Sequence, residues 1–207
     1  MNIKKIAITL LAVGLFAGAC AAGPGGIGSD PKDAPPSGNP AGVWIAGDSI
    51  AEGTGYRFSA NGDFSIAQGS TGFIHRGIKA SNVPERIALM RAEYGDPTTL
   101  VILAGGNDLN AAYSEGEVYN AAVALHDDLE ADGIDVRFVT EPIPDSGSIF
   151  TWTNGTLERF NDSLISTFGD TIDCGFAGHP TEVFGSFPVH PISSGYDALA
   201  QCIYNNL

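Results

Sequence analysis

The chain has 207 residues, with 24 acidic against 10 basic side chains and a formal net charge of −14. So acidic a surface offers no basic patch from which phosphate counterions could be released, which argues against nucleic acid and anionic lipid headgroups as partners.

Residues 1–19 read as an export signal. Lys4 and Lys5 supply the positive start, Ile6 through Phe16 the apolar centre, and Ala17-Gly18-Ala19 the small residues before a cut. The apolar stretch is shorter than the roughly 18 to 20 residues that span a bilayer, so a removed signal is expected rather than a membrane span. Cys20 follows at once, an arrangement that resembles the lipobox of bacterial lipoproteins, in which the cysteine is acylated. Ala17 stands where leucine is usual, and an ordinary secretory cut fits the same residues. The expectation is an exported protein, either anchored to the membrane through Cys20 or freely secreted. Removal of the signal takes basic residues from 10 to 8 and the formal charge from −14 to −16.

Residues 20–41 are Gly, Pro, Ala, Ser and Asp with almost no large apolar side chain, the composition of a flexible tether. Within it Gly23-Pro24-Gly25-Gly26-Ile27-Gly28 spells G-x-G-x-x-G, but no strand precedes it and no helix follows, so it is not a dinucleotide site. The remaining residues, 42–207, suit one domain.

In that domain apolar runs predict strands at 43–46, 64–67, 100–104, 136–140 and 171–174, with helices between several of them. The alternation argues for a parallel sheet covered on both faces. The first strand runs into Gly47-Asp48-Ser49, and a serine at the C-terminal end of a buried strand is a candidate nucleophile; alone, it could equally cap the next helix. The second strand ends in Gln68-Gly69-Ser70-Thr71-Gly72, where a glycine lets a backbone N–H approach a ligand. A helix is predicted from about Pro84 to Gly95. The third strand ends in Gly105-Gly106-Asn107-Asp108, which brings a side-chain amide to the edge that carries Ser49. Ser114 and Glu117 form a capping box ahead of Val118, Ala121, Ala122, Leu125 and Leu129, which share one helical face, and Gly133 ends that helix. Further helices are predicted at about 157–168 and 195–204.

Cys174 and Cys202 are the cysteines left after Cys20, and in an exported protein they are expected to pair, closing a loop worth roughly 3 kcal/mol in the chain-entropy picture. His190, close between Pro188 and Pro191, suits a general base. His126 is placed mid-helix away from the apolar stripe, His75 adjoins Arg76, and His179 shares the loop of His190. No zinc-pair spacing and no P-loop occurs, so neither metal nor cofactor is expected.

Taken together, Gly47-Asp48-Ser49, Gly72, Gly105-Gly106-Asn107-Asp108 and His190 resemble, in order, the blocks of the SGNH hydrolase (GDSL esterase/lipase) superfamily. The resemblance spans about residue 42 to the C-terminus. It implies a flavodoxin-like α/β/α three-layer sandwich, here with five parallel strands, and ester hydrolysis. Ser49 would be the nucleophile, His190 its base, and Ser49, Gly72 and Asn107 the oxyanion donors, while Asp48 and Asp108 would bond turn backbone. One position departs from the family: Phe187 stands where an Asp is usual three residues before the histidine. That leaves a Ser49–His190 dyad, or an acid from elsewhere such as Glu182 or Asp173. The absence of a long apolar lid segment favours short acyl groups, such as acetate on a carbohydrate, or another small-molecule ester. Two other readings share the motifs: acyl transfer to an alcohol acceptor, and a non-catalytic surface domain that binds carbohydrate or a partner.

Overall fold

Two continuous apolar segments, Val-Trp-Ile-Ala-Gly and Thr-Leu-Val-Ile-Leu, become the central strands β1 (Val43–Gly47) and β3 (Thr99–Leu103), paired in parallel from Val43 opposite Thr99 to Gly47 opposite Leu103. β2 (Phe64–Ser65) flanks β1 and β4 (Asp135–Phe138) flanks β3, giving an all-parallel sheet of order β2-β1-β3-β4. The computed structural model describes residues 41–60, 62–77, 80–143, 155–174 and 190–207. The chain divides into two units, Met1–Ala34 and Pro35–Leu207, and every described residue belongs to the second. The expected export signal, Cys20 and the expected tether up to residue 40 lie outside the described residues, as do His179, Glu182 and Phe187.

Alternate residues of the central strands face opposite layers, as the period of two in a strand requires. Trp44, Ala46, Leu100 and Ile102 point into one core, which α2 (Val83–Tyr94), α4 (Glu115–Ala131) and α5 (Thr156–Thr167) cover with Ile87, Met90, Val118, Leu125, Phe160 and Leu164. Ile45, Val101 and Leu103 point into the other, which α1 (Ser49–Ala60) and α6 (Ser193–Asn205) cover with Ile50, Phe58, Leu199 and Ile203. The result is the three-layer α/β/α sandwich. Each large side chain taken wholly out of water contributes about 1.5–3 kcal/mol, and Trp44, Phe58, Phe64, Phe138 and Phe160 are all fully buried.

Local signals set most of the helix starts. Ser114 and Glu117 make the reciprocal capping box expected of them, and Asn82 with Glu85 makes a second one at the head of α2 with Pro84 in the first turn. Among the described residues no helix is long and apolar enough to cross a membrane.

Three local expectations change. The fifth strand is reduced to a single parallel bridge between Val139 and Ile172, with Ile172 N–H on Phe138 O at 2.7 Å and Thr140 N–H on Ile172 O at 3.0 Å. Beyond Ile172 the chain is committed elsewhere: Asp173 accepts from Thr140 Oγ1, and Cys174 is disulfide-bonded to Cys202 on α6 with 5.8 Å between their Cα atoms. Among the described residues the sheet therefore has four strands rather than five. Second, α1 fills a stretch for which the sequence gives no helix bounds, although Ser49 reads as a possible cap of a following helix. Third, His126 does not face away from the apolar side; its ring lies 4.2 Å from that of Phe168 and 6.0 Å from that of Phe138.

Candidate active site

β1 and β3 are neighbours from which the chain departs in opposite directions across the sheet, β1 toward β2 and β3 toward β4. Their C-terminal ends form the crevice where open α/β sheets bind ligands. Gly47 ends β1 with φ of +143°, and its Cα is so close to Leu103 O that a side chain would collide with that carbonyl. This glycine turns the chain sharply at the sheet edge. Asp48 N–H donates to Leu103 O at 3.2 Å, and Ser49 opens α1 directly afterwards. Gly105 plays the matching part on β3, with φ of +135° and its Cα against the Phe160 ring. It turns the chain into α3 (Gly106–Asn110), which carries Asn107 and Asp108.

Ser49 Oγ and His190 Nε2 are 2.8 Å apart, within hydrogen-bond reach for a nucleophile and its base. His190 is partly buried, and that burial lowers its pKa from the usual histidine value of 6.5. Asn107 Nδ2 donates to Thr71 O at 3.0 Å and, more weakly, to Asp48 Oδ2 at 3.3 Å. The structure thus brings Ser49, Asn107 and His190 to one edge of the sheet from three separate segments.

Asp48 and Asp108 hold turns, as their sequence reading has it. Asp48 Oδ1 accepts Ile50 N–H at 2.8 Å at the head of α1. Asp108 collects three successive backbone donors, Phe73, Ile74 and His75, at 2.6, 2.9 and 2.6 Å. Both are buried. Desolvation is the first cause of their raised pKa values, to about 7 for Asp48, with the bonded N–H groups acting against it.

Gly72 is placed differently from its expected oxyanion role. Its N–H donates to His75 O at 3.1 Å, and its missing side chain makes room for the Asp108 carboxylate, which a Cβ there would strike. The glycine beside the nucleophile is Gly69, where an added Cβ would lie 3.9 Å from Ser49 Cβ and 3.0 Å from Glu52 Oε2. Among the described residues the Gly69 N–H has no partner. The sequence does not distinguish Gly69 from Gly72, because both follow the same strand and only the path of the turn separates them. Asp173, a candidate orienting acid, accepts from Thr140 Oγ1 at 3.2 Å; Glu182 lies outside the described residues.

A further buried acid, Glu141, was not singled out. It follows β4, is 2% exposed, and accepts Gly106 N–H at Oε1 at 2.8 Å. Its only sequence signal is a carboxylate beside Pro142 at a strand end, which ordinarily means a solvated residue. Among the described residues no group of three His, Cys, Asp or Glu side chains is arranged to hold a metal ion.

No family model and no curated protein sequence matches the chain. Solved structures do. A candidate acylhydrolase from Bacteroides fragilis NCTC 9343 superimposes with a TM-score of 0.62 at 22% identity, covering 83% of this chain and 88% of that one. A GDSL-like lipase from Bacteroides thetaiotaomicron VPI-5482 gives 0.63 at 18% identity over 80% and 87%. An acetyl xylan esterase, AlAXEase, gives 0.57 at 16% identity over 80% and 99%. The chain has the fold of the SGNH/GDSL hydrolases, the fold that its Gly-Asp-Ser turn, Gly-x-Asn-Asp segment and late histidine imply.

Proposed function

We propose that the protein is a serine esterase that works by two-step acyl transfer. Ser49 Oγ attacks the ester carbonyl carbon while its proton passes to His190 Nε2. The negative charge moves to the carbonyl oxygen, where the Ser49 and Gly69 N–H groups and Asn107 Nδ2 receive it. Collapse of this intermediate expels the alcohol, protonated by His190, and leaves an acyl-Ser49. Water, deprotonated by His190, then releases the acid and restores the serine. The observation that carries this reading is the 2.8 Å contact of Ser49 Oγ with His190 Nε2 at the sheet edge that also holds Asn107.

His190 works as the base of a dyad. Its pKa is lowered by burial, the direction expected of an imidazole held without a carboxylate partner. The substrates are short acyl esters, such as acetate on a carbohydrate. The likeness in fold to an acetyl xylan esterase supports that class. Export, with Cys20 acylated, is part of the same proposal; the Cys174–Cys202 disulfide supports an oxidising compartment, and incorporation of labelled palmitate tests the anchor.

The deciding experiment is turnover of a short-chain nitrophenyl ester together with labelling by a fluorophosphonate probe. Wild-type protein hydrolyses the ester and is labelled at Ser49, and Ser49→Ala does neither. Folded wild-type protein that resists the probe would overturn the proposal.

A further inference from the structure

We propose that Glu141 is kept as a carboxylic acid at neutral pH and donates its proton in a hydrogen bond to Asp48, which makes it a positioning residue for Ser49 and Asn107. The proton follows from the site's geometry. Asp48 and Glu141 are 3% and 2% exposed, so neither can turn to water. The Glu141 backbone is fixed at both ends of its peptide by one side chain of α5: Asn161 Oδ1 accepts its N–H at 3.1 Å and Asn161 Nδ2 donates to its carbonyl at 2.9 Å. Oε1 takes Gly106 N–H, whereas among the described residues Oε2 is buried with no donor. The carboxyl meets that of Asp48, and two carboxyls can hydrogen-bond only with a proton between them.

The donors decide which residue holds it. Asp48 accepts the Ile50 and Ala51 N–H groups and an amide hydrogen of Asn107, all of which favour its ionised form. Among the described residues Glu141 has Gly106 N–H alone as such a donor, and the neighbouring charges of Asp48 and Asp108 both oppose its ionisation. The charged and titratable groups facing the pair are therefore Asp108 from α3 and, toward Asp48, Tyr196 from α6. Burial acts in the same direction and pushes Glu141 well above the usual carboxylate range.

One proton then ties the two halves of the site together. Through Oε1, Glu141 holds the first residue of α3, next to Asn107; through the proton on its carboxyl it would hold Asp48, the residue before Ser49. Ionising it would put three carboxylates side by side and leave Asp48 to draw Asn107 away from its oxyanion duty. The protonation state stands apart from the esterase reading, and only its catalytic consequence rests on that reading.

Infrared spectroscopy of the full chain at neutral pH tests the proton directly. A carboxylic-acid carbonyl band is expected in the wild type and in Ser49→Ala, and absent in Glu141→Gln. Folded wild-type protein without that band, or a band that survives in Glu141→Gln, would overturn the inference whether or not the protein proves to be an esterase. Activity supplies the second arm. Glu141→Leu, which offers neither donor nor acceptor, loses about tenfold in kcat with little change in KM, and Glu141→Gln, which presents an N–H to Asp48 and an oxygen to Gly106, recovers most of that loss. Equal losses in the two folded variants would refute the positioning role.

Discussion

Asn107 must serve two partners with one nitrogen. At rest its amide hydrogens go to Thr71 O at 3.0 Å and to Asp48 Oδ2 at 3.3 Å, and the longer bond is the one to exchange for a developing oxyanion. Asn107→Ala is expected to lower kcat by about 10²- to 10³-fold, the size associated with one lost oxyanion donor; a loss confined to KM would assign the residue to ground-state binding instead. His190 makes a separate prediction through its titration. Burial lowers its pKa, so the neutral imidazole that can accept the Ser49 proton persists below the usual value of 6.5. The acid limb of kcat/KM against pH should therefore fall below that value. Asp173→Asn and Glu182→Gln should leave the limb in place, since neither carboxylate is needed by a dyad. An acid limb above 6.5 that collapses in either variant would identify the missing acid.

At the scale of elements, the disulfide sets the frame in which His190 sits. Cys174 lies two residues beyond Ile172, which makes the last bridge to the sheet, and Cys202 lies on α6, so the covalent link joins the two ends of the stretch that contains the histidine. With a sequence separation of 28, the bond is worth about 3 kcal/mol in the chain-entropy account. Replacing both cysteines by alanine should lower the unfolding free energy by that order, measured in urea, and should reduce kcat in protein that is still folded. Unchanged stability would contradict it. The elements that could be read from sequence are those whose local signals agree with their packing. β1 and β3 are buried on both faces and read as unbroken apolar runs, and α2 and α4 begin at capping boxes. α1 could not be read because its sequence contradicts its structure. Gly53 and Gly55 weaken it as a helix, yet a Cβ on Gly53 would strike the Tyr196 ring and one on Gly55 the Ser65 hydroxyl. The residues that hide the helix are those that let it pack closely on α6 and β2. In the site, Ser49 and Asn107 could be picked out because strand ends announce them, and His190 because Pro188 and Pro191 stand close to it. Gly69 and Glu141 depend on how turns fold back and on which carboxyls end up buried, and no spacing encodes either.

For the whole molecule, acidity and burial combine into a dependence of stability on pH. The buried carboxyls Asp48, Asp108 and Glu141 all have raised pKa values, with desolvation the first cause in each. In the unfolded chain Asp and Glu lose their protons near their ordinary values of 3.8 and 4.5, whereas in the folded protein burial keeps the proton between Glu141 and Asp48 bound past that range. Across that window the folded state binds more protons, so stability is greatest on the acid side and falls as pH rises. His190 opposes the trend, because a lowered pKa means the unfolded state binds more protons there, but it is one group against three. The formal charge of −14 adds self-repulsion of the same sign as pH climbs. Salt separates the two contributions. Repulsion between surface carboxylates is screened within a Debye length of about 8 Å at physiological ionic strength, while the buried groups are shielded from that screening. The melting temperature should therefore fall between about pH 5 and about pH 8, and the fall should become shallower but persist at about 1 M sodium chloride. A slope that vanishes in salt would place the whole effect on the surface, and a melting temperature that rises across the window would mean the three buried carboxyls are ionised in the folded protein.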